Sequence, residues 1–201
     1  PALSDIWKTP GKKLCGHMEM KHLPIILTAV LSLSCFDAKT LSAGEKEMEI
    51  TSSGIENGRI EDKYGKRGDD FINNVPSLSL PLIIHNAPPG TKSFALILRD
   101  EDAAPVVGYP WIHWLAANIR EPQLAENASR RKPDFIQGVN SWNMPFYGGM
   151  TPPNAPHRYD LHIYALDRFL PLKNGFTQTE LKESMEGHVL DEAVLSGVYD
   201  N

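Results

Sequence analysis

Alternation of apolar and polar residues dominates the chain from residue 47 onward. Met48 and Ile50 alternate with Glu47 and Glu49, the period of two expected of a half-buried strand. Leu78, Leu80, Leu82 and Ile84 alternate with Ser77, Ser79 and Pro81. Proline has no N–H for a ladder, so this strand is expected at an edge or with a bulge. Residues 93–99 are apolar on both faces, which predicts a central strand buried on two sides, and they end in Asp100-Glu101-Asp102. Two more apolar runs follow, at 111–119 and 158–166. Between them lies a long excursion, residues 120–156, rich in glycine and proline. Such an insertion is usually functional, the alternative being a solvated loop with a short helix near Leu124. After Asn174-Gly175 the period changes. Thr177 and Glu180 have capping-box spacing, and Leu181, Met185 and Val189 recur helically, which predicts a C-terminal helix with Gly187 as a break and Gly197 as its stop.

Composition fits this mostly β reading with flanking helices. The chain has 201 residues, of which 41% are hydrophobic, with 15 glycines and 16 prolines, enough for one packed domain built from many short elements. A formal net charge of -5 provides no global positive field for a nucleic-acid backbone or an anionic membrane, and leaves a local anion pocket open.

The first forty residues have a different character. Lys21 and His22 precede an apolar run at 23–33, followed by the small residues Ser32, Ser34 and Ala38. These are the parts of a secretory signal peptide, and the run is too short for a transmembrane span. The division expected is therefore residues 1–19 as an upstream extension or fragment, 20–38 as a signal peptide and 39–201 as a single domain. The product would be periplasmic or secreted, and cytoplasmic if the segment is not cleaved. Cys15 and Cys35 both precede the expected cleavage, so the processed domain would carry no thiol.

Candidate chemistry sits at strand ends. Side chains alternate across a strand, which groups Asp100 with Phe94, Leu96 and Leu98; His113 with Leu115, Ala117 and Ile119; and His157 with Tyr159, Leu161 and Ile163. If the three strands are neighbours with a common face, one acid and two imidazoles meet at the rim of the core. Imidazoles beside carboxylates carry protons and donate N–H bonds, which suits a small phosphoryl or carboxylate anion. Gly148-Gly149 would allow close backbone approach and positive φ angles, so that main-chain N–H groups could line the same pocket, with Pro152-Pro153 stiffening its wall. Other chemistries fit less well. The Asp100-x-Asp102 pattern is similar to that of haloacid dehalogenase-type phosphatases, but Ala103-Ala104 follows it and the regular strand–helix alternation is missing. No close histidine pair for zinc, no P-loop and no nucleophile elbow is present.

Residues 100–103, Trp111-Ile112-His113-Trp114-Leu115 with Asn118-Ile119, Gly149-Met150-Thr151-Pro152-Pro153, and His157-Arg158-Tyr159 leading to residues 164–167 resemble the two signature regions of the phosphatidylethanolamine-binding protein family, with its bacterial Raf-kinase-inhibitor-like branch as the nearest match. Residues 89–93 and 185–190 also resemble that branch, so the likeness covers about residues 47–199. The resemblance implies an antiparallel, Greek-key-like β-sandwich with helices at one end. It also implies a non-enzymatic pocket for phosphate, acetate or phospholipid headgroups, formed by Asp100, Asp102, Trp111, His113, Gly149, Pro153, His157 and Tyr159. No metal or cofactor is implied. A kinase or protease target is conceivable, as is an inhibitory role for the 120–156 loop, and a homodimer is compatible. The contrasting expectation is a phosphoester hydrolase using Asp100 with His113 or His157. The family's usual D-P-D-A-P is here Asp100-Glu101-Asp102-Ala103-Ala104-Pro105, and Thr151 stands where the second glycine of G-x-G-P-P is usual.

Overall fold

The computed structural model describes residues 46–201; the readings made for residues 1–38, the export signal and both cysteines included, lie outside this span. In chain order the elements are β1 (Glu49–Thr51), β2 (Ile55–Glu56), β3 (Arg59–Ile60), β4 (Phe71–Ile72), β5 (Val75–Pro76), β6 (Leu82–His85), β7 (Ser93–Asp100), α1 (Ala104–Val107), β8 (Trp111–Ile119), β9 (Gln123–Leu124), β10 (Ile136–Gln137), β11 (His157–Leu166), α2 (Gln178–Met185) and β12 (Val189–Tyr199). A seven-stranded sheet has the order β10-β8-β7-β11-β12-β3-β2, and a three-stranded sheet has the order β1-β6-β9. Neighbours in both run antiparallel, except β12 and β3, which are parallel. Among the described residues no helix is long and apolar enough to cross a membrane.

The two sheets form a sandwich because β7 and β8 are apolar on both faces and β11 on one, the face of Leu161, Ile163 and Ala165. Phe94, Leu96 and Leu98 of β7, Trp114 and Ala116 of β8, and Leu161 and Ile163 of β11 close over Ile50, Leu82, Ile84 and Leu124 of the small sheet. On the opposite face Ala95, Ile97, Leu115 and Ala117 pack beneath Leu170, Phe176 and the buried residues of α2, Leu181 and Met185. Each leucine, isoleucine, phenylalanine or methionine among them, when fully buried, contributes about 1.5–3 kcal/mol of transfer free energy. The capping box of α2 forms as the sequence predicts: the Thr177 hydroxyl accepts from the Glu180 N–H, and the Glu180 carboxylate accepts from the Thr177 N–H.

The helix is shorter than its periodicity predicts. It ends at Met185, Gly187 adopts φ +74°, and residues 189–199 form β12 rather than more helix. Ladder pairing of β12 with β11 from Val189 to Tyr199 prevails over local spacing. Two readings around the small sheet also change. β6 starts directly after Pro81 and lies in the middle of its sheet rather than at an edge. Leu124 lies in a short strand paired with β6, where the alternative reading had a short helix.

The most consequential difference is in β8. Ile112 pairs with Arg99 and Trp114 with Leu98, so His113 is an extra residue without a partner: a β-bulge. A second irregularity lies between Leu96 and Phe94, where Asn118 adopts φ +61° and its side chain bonds the Leu170 N–H and C=O. Strict alternation places His113 with Leu115 and Ala117. Instead those two face the helical layer, while His113 reaches the side of Tyr159, a member of the inter-sheet core.

Candidate functional site

Three strand ends and one loop build a single cavity. β7 brings Asp100 into register with Trp111 of β8 and Tyr159 of β11, so these residues share one rung of the sheet. The turn after β7 is held by its first residue: Asp100 Oδ1 accepts from the Ala103 N–H, three residues on, at 3.1 Å. Its other oxygen, Oδ2, lies 2.7 Å from His157 Nδ1, and both side chains are almost completely buried. The second ring nitrogen, His157 Nε2, is 3.0 Å from Asn154 Oδ1. Asp102 points elsewhere. Its carboxylate accepts from the Arg158 N–H at 2.8 Å and thereby fastens the turn to the start of β11.

His113 is gripped twice by Gly148. Its Nδ1 donates to the Gly148 carbonyl at 2.8 Å, and its own carbonyl accepts from the Gly148 N–H at 2.8 Å. This fixes the tautomer and leaves Nε2 as an acceptor when the ring is neutral. Complete burial pushes the His113 pKa down to about 4, against the smaller opposing effects of the Gly148 carbonyl and the Asp100 charge. The ring is wedged edge-to-face between Tyr159 and Trp142, with centroids 5.1 Å and 5.2 Å away. Trp142 also meets Trp111 edge-on at 5.1 Å.

The cavity has a volume of about 170 Å³ and is lined by Asp100, Ala103, Trp111, His113, Trp142, Thr151 and Pro153, with Val106 and Val107 of α1 at its mouth. At about 30 Å³ per water it holds a handful of solvent molecules or one small solute. No lysine or arginine is among its lining residues. Two buried donors at the site lack a protein partner, the Trp111 indole N–H and the Tyr159 hydroxyl. The Tyr159 hydroxyl lies beside the Asp100 carboxylate and the Thr151 main chain; burial first, then the Asp100 charge, raises its pKa well above the usual phenol range. An unsatisfied buried donor costs about 1–3 kcal/mol, so the Trp111 indole N–H calls for an acceptor.

Four of the eight candidate residues, Asp100, Trp111, His113 and Pro153, line the cavity. His157 and Tyr159 stand immediately behind Asp100 and His113. Asp102 and Gly149 serve the surrounding backbone instead. The Gly149 N–H donates to the Pro76 carbonyl, and a Cβ there would come within 2.3 Å of the Tyr64 carbonyl oxygen. Neither Gly148 nor Gly149 has a positive φ, and both N–H groups are taken by protein carbonyls, so they do not line the pocket as expected. The close approach expected of the pair is what demands glycine here: a Cβ on Gly148 would meet the Trp142 ring at 2.6 Å. The donor role expected of the imidazoles is also corrected, because both nitrogens of His157 are engaged and the one N–H of neutral His113 goes to Gly148. Thr151, the departure from the usual glycine, is part of the wall. Sequence reasoning missed Trp142 and Asn154; the available signal was that Trp142 is the only tryptophan in the 120–156 excursion. Among the described residues no group of three or more His, Cys, Asp and Glu side chains comes together to hold a metal.

Comparison with known proteins agrees with this architecture. The YxkA protein of Bacillus subtilis is 40% identical over 152 residues, covering 68% of this chain and 90% of the relative. A UPF0098 protein of Chlamydia muridarum is 36% identical over 156 residues, covering 76% and 99%. Among solved structures, the phosphatidylethanolamine-binding protein homologue CT736 of Chlamydia trachomatis superposes with a TM-score of 0.68 at 34% identity, covering 77% of this chain and 98% of the other. Escherichia coli YbcL superposes with a TM-score of 0.67 at 26% identity, covering 78% and 99%. The family described as phosphatidylethanolamine-binding protein matches residues 51–200, so the chain belongs to the phosphatidylethanolamine-binding protein family.

Proposed function

We propose that this protein is a non-enzymatic binding module whose cavity holds a small phosphoryl- or carboxyl-bearing molecule. The observation that carries the reading is the Trp111 indole N–H, a buried donor without a protein partner on a residue that lines a cavity of about 170 Å³, with the Tyr159 hydroxyl behind the wall. A phosphoryl or carboxyl oxygen supplies the acceptor it calls for, and the volume suits a headgroup rather than a whole lipid. The family's name and that of CT736 point to phosphatidylethanolamine, whose headgroup carries such a group. Both oxygens of Asp100 already hold protein groups, which favours a fixed acceptor over a hydrolytic nucleophile.

Phosphate, phosphoethanolamine and acetate titrated against labelled protein should shift the ring signals of His113 and His157 together, because one side chain, Asp100, lies beside both. Rings that stay unmoved at millimolar ligand overturn the assignment. Export belongs to the same proposal, on the signal-like pattern of residues 20–38. N-terminal sequencing of the exported protein should begin near residue 39. A regulatory role toward a kinase or protease would use the same cavity end, and Trp142→Ala should then weaken inhibition and ligand binding alike.

A further inference from the structure

The polar groups of the cavity are unusually rich in acceptors for a site meant to hold an anion. Asp100 presents a carboxylate to it. His113 lines it with Nδ1–H committed to the Gly148 carbonyl, so Nε2 offers a lone pair. The only charged side chain in the lining is therefore negative. His157, the imidazole that could offset it, stands behind Asp100 with its nitrogens on Asp100 and Asn154. The remaining polar groups of the lining are the Trp111 indole N–H, a donor, and Thr151, whose hydroxyl can act either way, with the Tyr159 hydroxyl behind Asp100 and His113. A fully deprotonated oxyanion would satisfy the donors but would press against Asp100 and leave Nε2 without a hydrogen. An oxyanion that keeps one proton satisfies both sides, because its P–OH can donate to Nε2 or to the carboxylate while its other oxygens accept.

We propose that the cavity selects the protonated form of its ligand, the monoanion of a phosphate monoester, and rejects sulfate esters of the same shape and charge. This rests on the oxyanion reading above and specifies which oxyanion. A sulfate ester monoanion is nearly isosteric with a phosphate ester monoanion but has no proton to offer. Discrimination then follows the rule that a site built around a hydrogen bond rejects the analogue lacking it far more strongly than one built on shape alone. The groups facing His113 are Asp100 from β7, Tyr159 from β11 and the Trp142 ring from the excursion, with His157 behind Asp100. The depressed pKa of His113 keeps its Nε2 an acceptor across the neutral range.

The matched probes are methyl phosphate and methyl sulfate, each titrated calorimetrically at pH 5.5 and 7.5 with the His113 ring signal recorded in parallel. Methyl phosphate should bind at least tenfold more tightly than methyl sulfate at pH 5.5. Its affinity should then fall about 25-fold by pH 7.5 as a second ionisation near pH 6 removes the monoanion. Methyl sulfate carries no titrating proton in this range, so its own change reports the protein's ionisation and is subtracted. Asp100→Asn, which exchanges one acceptor oxygen for an amide donor, should narrow the preference, and the wild-type comparison stands whether or not that variant folds. Equal affinity for the two esters, or a methyl phosphate affinity that holds from pH 5.5 to 7.5, overturns the protonated-ligand proposal and leaves the oxyanion reading intact. Binding of neither ester overturns both.

Discussion

Acidification should unfold this protein through His113. The ring is fully buried and its pKa in the folded state is pushed down to about 4, whereas an unfolded histidine titrates near pH 6.5. Between those values the unfolded chain takes up a proton that the folded chain refuses. The stabilisation from keeping the ring neutral is therefore complete above pH 6.5 and is lost as the pH falls toward 4. At about 1.4 kcal/mol per pH unit over that interval, the loss approaches roughly 3 kcal/mol, a large share of the ~5–15 kcal/mol typical of a domain. Many carboxylates titrate in the same range, so the measurement is a difference. Urea unfolding at half-unit steps from pH 8 to 4 would compare the native chain with His113→Gln, whose amide can still donate to the Gly148 carbonyl and does not titrate. The native chain should lose about 3 kcal/mol relative to the variant across this range, with most of the change below pH 6.5. Two curves that stay parallel from pH 8 to 4 would refute the account, because His113 would then be free to accept its proton in the folded state.

Gly149→Ala should lower stability by about 1–3 kcal/mol, read from the urea midpoint, because the new methyl meets the Tyr64 carbonyl at 2.3 Å and Pro76 Cβ at 2.7 Å, atoms that cannot swing aside. Asn118→Gly keeps the φ of +61° but loses the two bonds to Leu170, about 1–2 kcal/mol; Asn118→Ala loses the same bonds and adds left-handed strain of about 1 kcal/mol, so thermal melts should rank Ala below Gly. Thr177→Ala removes one half of the capping box and should cost about 1 kcal/mol in the same assay.

How legible all this was in the sequence depends on whether a residue's partner is close by along the chain. β7 could be read in isolation because hydrophobic residues on both its faces have only one explanation, burial on two sides. The start of α2 could be read because Thr177 and Glu180 satisfy each other locally. β12 could not: its ladder partner lies more than twenty residues upstream in β11, and its outer face leaves Val194 exposed, so no clean period of two survives. The same distinction divides the site. Asp100 and His157 sit at the ends of regular strands, where counting by twos assigns the correct side. His113 sits in a bulge, where counting fails, and only the register with Arg99 and Leu98 reveals which way it faces. Gly148 and Gly149 signal tight quarters in any sequence, but not that a tryptophan ring and a carbonyl are what crowd them.

The paired irregularities in β8 carry a consequence for how this scaffold can change. Odd-numbered Trp111 and Ile119 share a side with even-numbered Trp114 and Ala116, because the first extra residue shifts the phase and the second restores it. The middle of β8 thus behaves like a cassette set between two compensating frameshifts. Deleting one residue at either point would only remove the bulge, because Ile112 with Arg99, Trp114 with Leu98, Ala116 with Leu96 and Ile119 with Phe94 all keep their partners, whereas a deletion between the two points would send part of the stretch to the wrong face. A one-residue change in the length of this strand is therefore absorbed at the two bulges, with the loss of the His113 or Asn118 position, and not in the stretch between them.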